Sequence, residues 1–537
     1  MPTFSPADLR AGRLHFLLDL TWGGQVYRLA ESVIAPTLDG ETLQYHDGLL
    51  FGGSWEERLD LFGVVPSSRS VSLTLSLADV VDVPARIADG HPLGSASGKL
   101  SLWVEGTTKA RVIVAGGLRQ IEHQTKDDPV IATLEEAPLR APGLIPEPAQ
   151  RIGPPSEDDD GLVFGLNLLG HYYPIIFGRP GGAAGYGSPA LYFDVAASTG
   201  EVVLAAHECV GGSVLLIDAT DEATDTATIK TERDSLSGAL RTAATTTLSG
   251  TFPHAEAKHP VYVRWTDGNA GGVPSRSDPS VPMRGAGEIL SWLLERSGAR
   301  VDHGRMRALE PLLAGYRLDA AIIPGRDERV SPIEWIQAHI LPILPLSARV
   351  SGDGLHYVYW RWDATARDAV TTLSADEHQC ERVGPVQYSE ADDVCQEIRF
   401  GYARDYAADK FQSTLLYTGV RATAGLADAN VLEPSLERSF WRHIGGDPRL
   451  VRTLEVSSEV VLEDATAHIV CQYLARRHGA QTRLVRYETD PEFAWLEPGD
   501  VVVVTDEDVG IASAVALVET AIWSTDERVG LGLRLLN

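Results

Sequence analysis

The sequence predicts a β-rich, multi-domain α+β protein. Short runs of β-branched and alternating apolar residues recur over most of the 537 residues, and turn dipeptides such as Asp-Gly and Gly-Gly separate them. Helical periodicity is concentrated between Gly285 and Leu344, with strand-rich blocks on both sides. The length suffices for three or four domains, each with its own core. We expect a β-barrel domain at 1–158, a β-rich inserted domain at 159–282, a small helical-island domain at 283–370 and a second β-barrel domain at 371–537.

The first block reads as an all-β domain, either a barrel or a sandwich. Its predicted strands are Leu14–Thr21, Val26–Ile34, Arg69–Leu77, Lys99–Val104 and Arg111–Ala115. The segment that begins at Arg111 predicts two strands joined by a tight turn at Gly116-Gly117. A proline-rich stretch from Ala137 and the acidic run that follows it favour extended, solvated backbone. The boundary is therefore placed near residue 158.

The inserted block is rich in strands and loops and offers three weak site motifs. The glycine-rich segment from Arg179 matches neither phosphate-loop pattern and precedes no predicted helix, which indicates a surface loop. The tract from Asp218 lacks the central glycine and final glutamate of an EF-hand loop. Consecutive carboxylates at Asp158–Asp160 are better explained by solvation than by metal binding.

The helical island contains two predicted helices. Helical spacing relates the apolar residues of the first, namely Ala286, Ile289, Leu290 and Leu293. Gly298 stands where a left-handed C-terminal cap is expected. The second helix opens at Ser331 with a capping hydroxyl, followed by a proline and by Glu334 three residues on. Pro342 should end it, because proline removes a backbone donor.

The last block predicts a second β-rich domain with one helix at about 464–478. An antiparallel strand pair is expected to start at Cys395 and Phe411. The helix should present Ala467, Val470, Cys471 and Leu474 on one face. Gly479 follows its basic last turn, as helix termini favour. Two further strand blocks, the first from Trp495, close the chain.

Composition excludes several classes of function. Acidic residues number 74 against 46 basic ones, so the net charge is −28, which argues against a broad nucleic-acid surface and against anionic membranes. We interpret the acidity as a source of solubility. The four cysteines contain no C-x-x-C pair, so we expect free, buried thiols and no metal or cluster. No signal peptide and no apolar run of about 20 residues is recognisable, which predicts synthesis in the cytoplasm without membrane insertion.

No catalytic, cofactor-binding or metal-binding residue is predicted. The G-x-S-x-G and H-E-x-x-H patterns are missing from the sequence, and the nearest histidine pair, His254 and His259, lies in a predicted loop. Glu334 beside Trp335 could resemble a sugar-site acid, but its position after a serine cap explains it better. The acidic residues at 506–508 are interpreted as a solvated hairpin turn. The aromatic strand Tyr357–Trp362 favours a core or an interface, with a carbohydrate platform as the alternative.

Motifs in the last block resemble a known family. A helix with V-C-Q-Y-L-A-R-R from Val470 is followed by a strand and then by L-E-P-G-D-V-V-V-V-T-D from Leu496. This order resembles the closing domain of baseplate hub and tail-tip proteins of long-tailed bacteriophages and gene transfer agents, in which an L-x-P-G-D-x-V segment marks the same strand. The helical island resembles the helical domain between the two barrels of the hub. The segment from Gly170 to Gly178 resembles the G-x-x-x-P-I-x-x-G element of such proteins.

The resemblance implies a structural virion protein and no enzyme. Hub proteins carry two tail-tube-like β-barrels per chain, so a homotrimer presents six and matches a six-fold ring. Such a protein would join the tail tube and distal tail protein ring to a three-fold tip or fibre protein. It would also contact the tape measure protein, line part of the channel, meet DNA only in transit, and be assembled in the host cytoplasm.

Two alternatives remain open. The first is a carbohydrate-binding or glycan-degrading tail protein that uses the insert at 159–282 and the aromatic strand. The second is a hexameric distal tail ring protein, which a measurement of symmetry would separate from a trimeric hub.

Overall fold

The structure is a computed structural model of the 537-residue chain. The residues that it describes are 13–50, 54–58, 70–77, 80–122, 129–136, 143–151, 170–181, 188–196, 199–218, 224–233, 238–246, 261–266, 270–351, 354–406, 408–419, 430–524 and 528–536. Among these residues, no helix is both long enough and apolar enough to cross a membrane.

The first part of the chain forms an eight-stranded sheet. The strands and the helix in this part of the chain are β1 Leu14–Trp22, β2 Gln25–Ala30, β3 Thr37–Leu38, β4 Glu41–Thr42, β5 His46–Asp47, β6 Leu49–Leu50, β7 Ser54–Arg58, β8 Ser70–Leu75, α1 Val83–Ala88, β9 Ser97–Val104, β10 Ala110–Glu122 and β11 Val130–Glu136. Strands β3 and β4 pair with each other, and β7 lies in a different sheet. The sheet order is β5-β2-β1-β9-β10-β11-β8-β6. Along β1, Phe16, Leu18 and Leu20 are buried on one face, as the two-residue period of a strand requires.

The predicted turn at Gly116-Gly117 is wrong. β10 is a single long strand in which both glycines pair with β9 on one side and with β11 on the other. Register shifts between Val112 and Val114 and between Arg119 and Glu122 mark irregularities in the strand. Such bulges bend a strand without ending it. The glycine pair therefore lies inside the sheet.

The inserted part contains a closed barrel. Its strands are β12 Ile175–Phe177, β13 Ser188–Ala196, β14 Thr199–Ala205, β15 Ser213–Asp218, β16 Thr224–Arg233, β17 Leu240–Thr246 and β18 Val261–Trp265. The barrel runs β13-β14-β17-β16-β15-β18. Strand β12 lies outside the barrel and pairs with a strand of the helical island.

The helical island comprises α2 Ala286–Arg296, α3 His303–Leu309, β19 Ala320–Ile322, α4 Pro332–His339, β20 Leu346–Ser351 and β21 Gly354–Tyr359. Both predicted caps are confirmed. Gly298 has a φ of 74° after the end of α2, and the Ser331 hydroxyl accepts a hydrogen bond from the Glu334 N–H at the start of α4. Helix α4 ends at His339, before Pro342.

The last part contains β22 Thr371–Ser374, β23 Cys380–Arg382, β24 Gln387–Tyr388, β25 Glu397–Asp405, β26 Lys410–Thr418, β27 Asn430–Leu432, α5 Pro434–His443, β28 Thr453–Ser457, α6 Asp464–His478, β29 Arg483–Thr489, β30 Val501–Asp506, β31 Ile511–Ser524 and β32 Val529–Leu535. One sheet has the order β22-β30-β31-β32-β29-β23, with β24 on β29 and β7 on β31. A second sheet has the order β27-β26-β25-β28. The antiparallel pair β25–β26 and the apolar face of α6 are confirmed.

The first and last sheets share one hydrophobic core. Leu18, Leu100 and Leu134 of the first sheet belong to the same buried cluster as Val502 and Leu533 of the last. Strand β7, from the first part of the sequence, is hydrogen-bonded into the last sheet beside β31. The predicted β-rich α+β fold class, with barrel-like sheets and few helices, is confirmed. The boundaries at 158, 282 and 370 stay predictions.

Candidate functional site

A cluster of five charged residues, four of them buried and Arg305 30% exposed, lies where three parts of the chain meet. Its members, called here the ionic cluster, are Glu57 on β7, Arg111 on β10, Arg305 on α3, Arg349 on β20 and Glu497 just before β30. The side chain of Arg349 is only 2% exposed, and that of Glu57 is equally buried. The cluster thus joins the first sheet, the helical island and the last sheet.

Arg349 lies at the centre of the ionic cluster. Its Nη1 donates to Glu497 Oε2 at 3.0 Å, and its Nη2 donates to Glu57 Oε2. Arg111 Nη2 donates to the same Glu57 oxygen at 2.8 Å, and its Nε lies 3.4 Å from Glu497 Oε1. Arg305 approaches from α3 with its Nη1 2.8 Å from Glu497 Oε2. Each carboxylate therefore faces at least two guanidinium groups.

The electrostatics of the cluster favour the charged form of Glu497. Burial alone would raise the pKa of Glu497, but the charges of Arg111, Arg349 and Arg305 outweigh it and hold that pKa well below its usual range. Arg111 also stacks over the Trp523 ring, with its guanidinium carbon 4.6 Å from the ring centroid. A buried ion pair adds little stability relative to an apolar core of the same volume. Removing one partner is costly, however, because the other charge stays buried and unpaired. The arrangement suits a rigid joint between domains.

The L-E-P-G-D segment builds one side of this joint. Asp500 Oδ2 accepts a hydrogen bond from the Glu497 N–H at 2.8 Å and closes a tight turn. Gly499 has a φ of 105°, a conformation that L side chains rarely adopt, and its N–H donates to Val518 O. Burial and the neighbouring charge of Glu497 raise the pKa of Asp500 to about 6. The motif therefore places Glu497 among the arginines.

A second ion pair, Arg284 with the buried Asp319, lies in the helical island and contacts the insert through the Arg179 N–H. Asp319 accepts from Arg284 Nε at 2.9 Å and from the Arg179 N–H at 2.7 Å. Arg284 also lies 2.7 Å from Glu463 at the start of α6. A Cβ at Gly178 would lie 2.2 Å from Asp319 Oδ1, so the last glycine of the G-x-x-x-P-I-x-x-G segment makes room for this carboxylate. The segment is thus a structural joint.

Two surface pockets of opposite charge lie at the two ends of β29. The acidic pocket, of about 590 Å³, is lined by five carboxylates and two arginines: Glu381, Glu488, Asp490, Asp506, Asp508, Arg382 and Arg528. The basic pocket, of about 330 Å³, is lined by Tyr388, Arg438, Arg442, His443, Ala480, Gln481 and Arg483. Its lining contains no carboxylate.

A third pocket, of about 580 Å³, separates the insert from α2. Its aromatic side chain, Trp292, is 7% exposed and carries the Arg296 guanidinium 3.6 Å from its ring centroid. The edge of Phe177 packs against the same ring at 5.1 Å. Burial lowers the pKa of His207 to about 4. With Arg296 and Phe177 already packed on its ring, Trp292 is unsuited to stacking a sugar.

The predicted residues fall in four groups. Glu334 and Trp335 confirm the cap and core interpretations, with Trp335 6% exposed. The aromatic side chains of residues 357–362 lie in the core or against it: Tyr357 is 3% and Trp360 5% exposed, and Tyr359 and Trp362 are partly buried. All four cysteines are free and buried, as predicted. The residues Asp158–Asp160, His254 and His259 lie outside the described part of the chain.

The solvated-turn interpretation is wrong for Asp506. Glu507 and Asp508 are exposed in the turn between β30 and β31, but Asp506 is 3% exposed. It accepts hydrogen bonds from Arg382 Nε at 3.1 Å and from the Tyr487 hydroxyl at 3.0 Å. Its side chain points inward because it ends β30, whose alternation continues to that residue.

The charged joint was missed from sequence. A signal existed in Arg111 and Arg349, which lie on strands at positions that strand alternation would bury. Partner identity was not readable, since the five residues span positions 57 to 497. Among the described residues, no group of three or more His, Cys, Asp or Glu side chains is arranged to hold a metal ion.

Comparison with known proteins links the last part of the chain to phage tails. Residues 428–520 match the family described as putative phage tail protein. This range contains α5, α6, the L-E-P-G-D segment and β30. No curated protein matches the chain.

Three of the solved structures that resemble this chain are distant in sequence. One is a tail protein from Neisseria meningitidis MC58, with 9% identity, a TM-score of 0.34, and coverage of 97% of this chain and 96% of that chain. Another is the 43 kDa tail protein of prophage MuSo2 from Shewanella oneidensis, with 8% identity, a TM-score of 0.35, and coverage of 97% and 98%. The third is a chain of the virion of a native gene transfer agent particle, with 17% identity, a TM-score of 0.21, and coverage of 48% and 82%.

The motif resemblance and the family match fall on the same residues. The match covers V-C-Q-Y-L-A-R-R and L-E-P-G-D, which carried the resemblance, and it includes Glu497 of the ionic cluster. The match over residues 428–520 supports a structural protein of a phage tail.

Proposed function

We propose that this chain is the baseplate hub of a phage or gene transfer agent tail, assembled as a homotrimer. The observation that carries the proposal is the pair of eight-stranded sheets in one chain, one from each end of the sequence, packed on a single core. Three copies would supply six such sheets, which matches the number of positions in a six-fold tube ring. The family match over residues 428–520 supports the placement in a tail.

The ionic cluster supports a rigid adaptor. A hub has to hold its two sheet bodies at a fixed angle so that three copies close into one ring. Glu57 on β7 and Glu497 before β30 both belong to the last sheet. Arg111 of the first sheet and Arg349 of the helical island, which is 2% exposed, each contact both carboxylates. The island therefore braces two bodies that already pack on one core, and the domain boundaries at 158, 282 and 370 are proposed on that basis.

The proposed partners follow from this role. The six-fold face would meet the distal tail protein ring, and the three-fold face a tip or fibre protein. The centre would admit the tape measure protein and DNA in transit, without holding the DNA, since a chain of net charge −28 repels phosphates. The role requires no catalysis, cofactor or membrane insertion, and assembly takes place in the host cytoplasm before the protein is part of the virion.

The two alternatives receive less support. A carbohydrate platform would need exposed aromatic rings, but Tyr357, Trp360 and Trp292 are all at most 7% exposed. A hexameric ring of these chains would present twelve eight-stranded sheets where a six-fold tube offers six positions.

The copy number in purified particles tests the proposal. We expect quantitative mass spectrometry to find three copies per particle and an antibody against the chain to label the tip end of the tail. Six copies per particle, or labelling along the tube, would contradict it. In a mutant phage or gene transfer agent that lacks the gene, tail assembly should stop before the tube forms.

A further inference from the structure

The two pockets on β29 have opposite charges and share one sheet edge. Strand β24 pairs with β29 at Arg483 and Leu484, whereas β23 pairs with it at Tyr487 to Thr489. Both short strands lie on the same side of β29, since β32 occupies the other side. The seven residues of β29 separate the pockets by about 20 Å at the usual rise per residue.

The basic pocket has the composition of a protein-binding hot spot. Arg438 and Arg442 are exposed on α5, Arg483 is half-buried on β29, and none of the three pairs with a carboxylate among the described residues. Tyr388 in the lining is 62% exposed, and Trp441 on the same helix is 63% exposed. Tyrosine, tryptophan and arginine are the residues that dominate binding energy at protein interfaces. This composition favours a protein occupant over a nucleic acid.

The acidic pocket offers the complementary charge. Its five carboxylates outnumber its two arginines, and Glu381, Asp490 and Asp508 are exposed at its rim. Val383, 45% exposed, lies on the edge between the two pockets and adds an apolar contact. Within the described part of the chain, no strand pairs with the outer side of β23 or β24. The edge between the pockets is therefore available to another polypeptide.

We propose that the basic pocket of one copy binds the acidic pocket rim of the next copy. Such a contact joins two different surfaces, head to tail, and closes into a ring when the rotation per copy divides the circle. It also explains how chains of net charge −28 associate, because complementary patches offset the general repulsion at the point of contact. The inference rests on the proposed hub role only for the number of copies in the ring.

The test is a charge swap in the full-length protein, followed by sedimentation velocity at several concentrations. Arg438→Glu with Arg442→Glu should weaken self-association at least tenfold. Adding Glu381→Lys and Asp508→Lys to that variant should restore it, because the pair of charges is exchanged. The control is Arg307→Glu with Arg367→Glu, which changes two exposed arginines that pair with no described carboxylate and should leave association unchanged.

Each outcome decides the proposal. Unchanged association in the Arg438→Glu, Arg442→Glu variant overturns it, as do a monomeric wild type and a failure of the four-residue swap to restore association. If that variant misfolds, Arg438→Gln with Arg442→Gln removes the charges at similar size and should still weaken association several-fold. If the wild type shifts a labelled DNA duplex and Arg438→Glu with Arg442→Glu abolishes that shift without changing self-association, the proposal is overturned and the pocket is assigned to nucleic acid.

The same measurement separates this inference from the hub role. If the protein is a trimer and the charge reversal does not weaken it, the hub role is supported and the head-to-tail contact is contradicted. If the protein forms an assembly of another size, and the charge reversal breaks it while the four-residue swap restores it, the head-to-tail contact is supported and the trimer is contradicted.

Discussion

Arg349 occupies the centre of the ionic cluster, between two carboxylates that the sequence separates by more than 400 residues. Glu57 is 3% and Glu497 is 6% exposed, so neither can exchange its guanidinium partners for water. Arg349 contributes to stability mainly because its removal would leave two buried carboxylates without one of their cations.

Replacing Arg349 by alanine should lower the free energy of unfolding by about 3–5 kcal/mol, because it leaves two buried carboxylates with fewer cations. Urea denaturation monitored by tryptophan fluorescence measures the change. The control is Arg449→Ala, which removes an 87% exposed partner of Asp447 and should have no measurable effect. Equal effects of the two substitutions would contradict the role of the cluster.

Asp500 should make the protein less stable as the pH rises. Its pKa is raised to about 6, above the value of about 3.9 for an unfolded aspartate, so the folded state favours the protonated form. The stability that protonation contributes is complete below about pH 4 and is lost as the pH rises through 6. Asp500→Asn keeps the acceptor for the Glu497 N–H and should gain up to about 3 kcal/mol at pH 8, with no gain near pH 4. The measurement is thermal unfolding of the wild type and of Asp500→Asn at a series of pH values. A difference in stability between the two proteins that does not change with pH would refute the prediction.

At the residue level the sequence predicted caps better than charges. The roles of Ser331 and Gly298 were readable because a cap is a local property of four or five neighbouring residues. The roles of Arg111 and Glu497 were not, since a buried ion pair depends on contacts between distant segments. Asp506 shows the same limit, because its inward direction depends on where β30 ends.

Helix α5 is held against the end of β26 by a close backbone contact. A Cβ at Gly419 would lie 2.1 Å from the carbonyl carbon of Leu436, well inside van der Waals contact. Leu436 itself is fully buried, so the helix cannot shift without exposing it. The position of Arg438 and Arg442, and with them the basic pocket, therefore depends on this glycine.

Gly419→Ala should displace α5 and destabilise the protein by about 1–3 kcal/mol, the usual cost of overpacking. Hydrogen exchange of residues 434–443 should become faster, and self-association should weaken as it does in the arginine variants. Gly211→Ala, where an added Cβ meets nothing within 4 Å, provides the control. Unchanged exchange in α5 would show that the contact does not position the helix.

Elements were predicted well wherever periodicity was local. Helices α2, α4 and α6 and the β25–β26 pair follow from spacing and caps. The prediction of two strands in place of β10 is wrong because a pair of glycines is as compatible with a bulge inside a sheet as with a turn. The pairing of β7 with β31 was out of reach, since nothing local in Ser54–Arg58 identifies a partner in the last sheet.

At the scale of the whole molecule, acidity limits what the protein can hold. A net charge of −28 should prevent duplex DNA from binding at physiological salt, because few phosphates would be neutralised. We expect no shift of a fluorescently labelled duplex in an electrophoretic mobility assay with micromolar protein. Tight, salt-sensitive binding would contradict a channel that lets DNA pass.

The mass of the full-length protein in solution, measured by light scattering after size-exclusion chromatography, decides between the trimeric hub and its alternatives. Two sheet bodies per chain on one core, joined by the ionic cluster, predict an assembly of three chains of 58.0 kDa each. A stable monomer or a hexamer, at protein concentrations well above those at which tails assemble, would contradict the hub proposal.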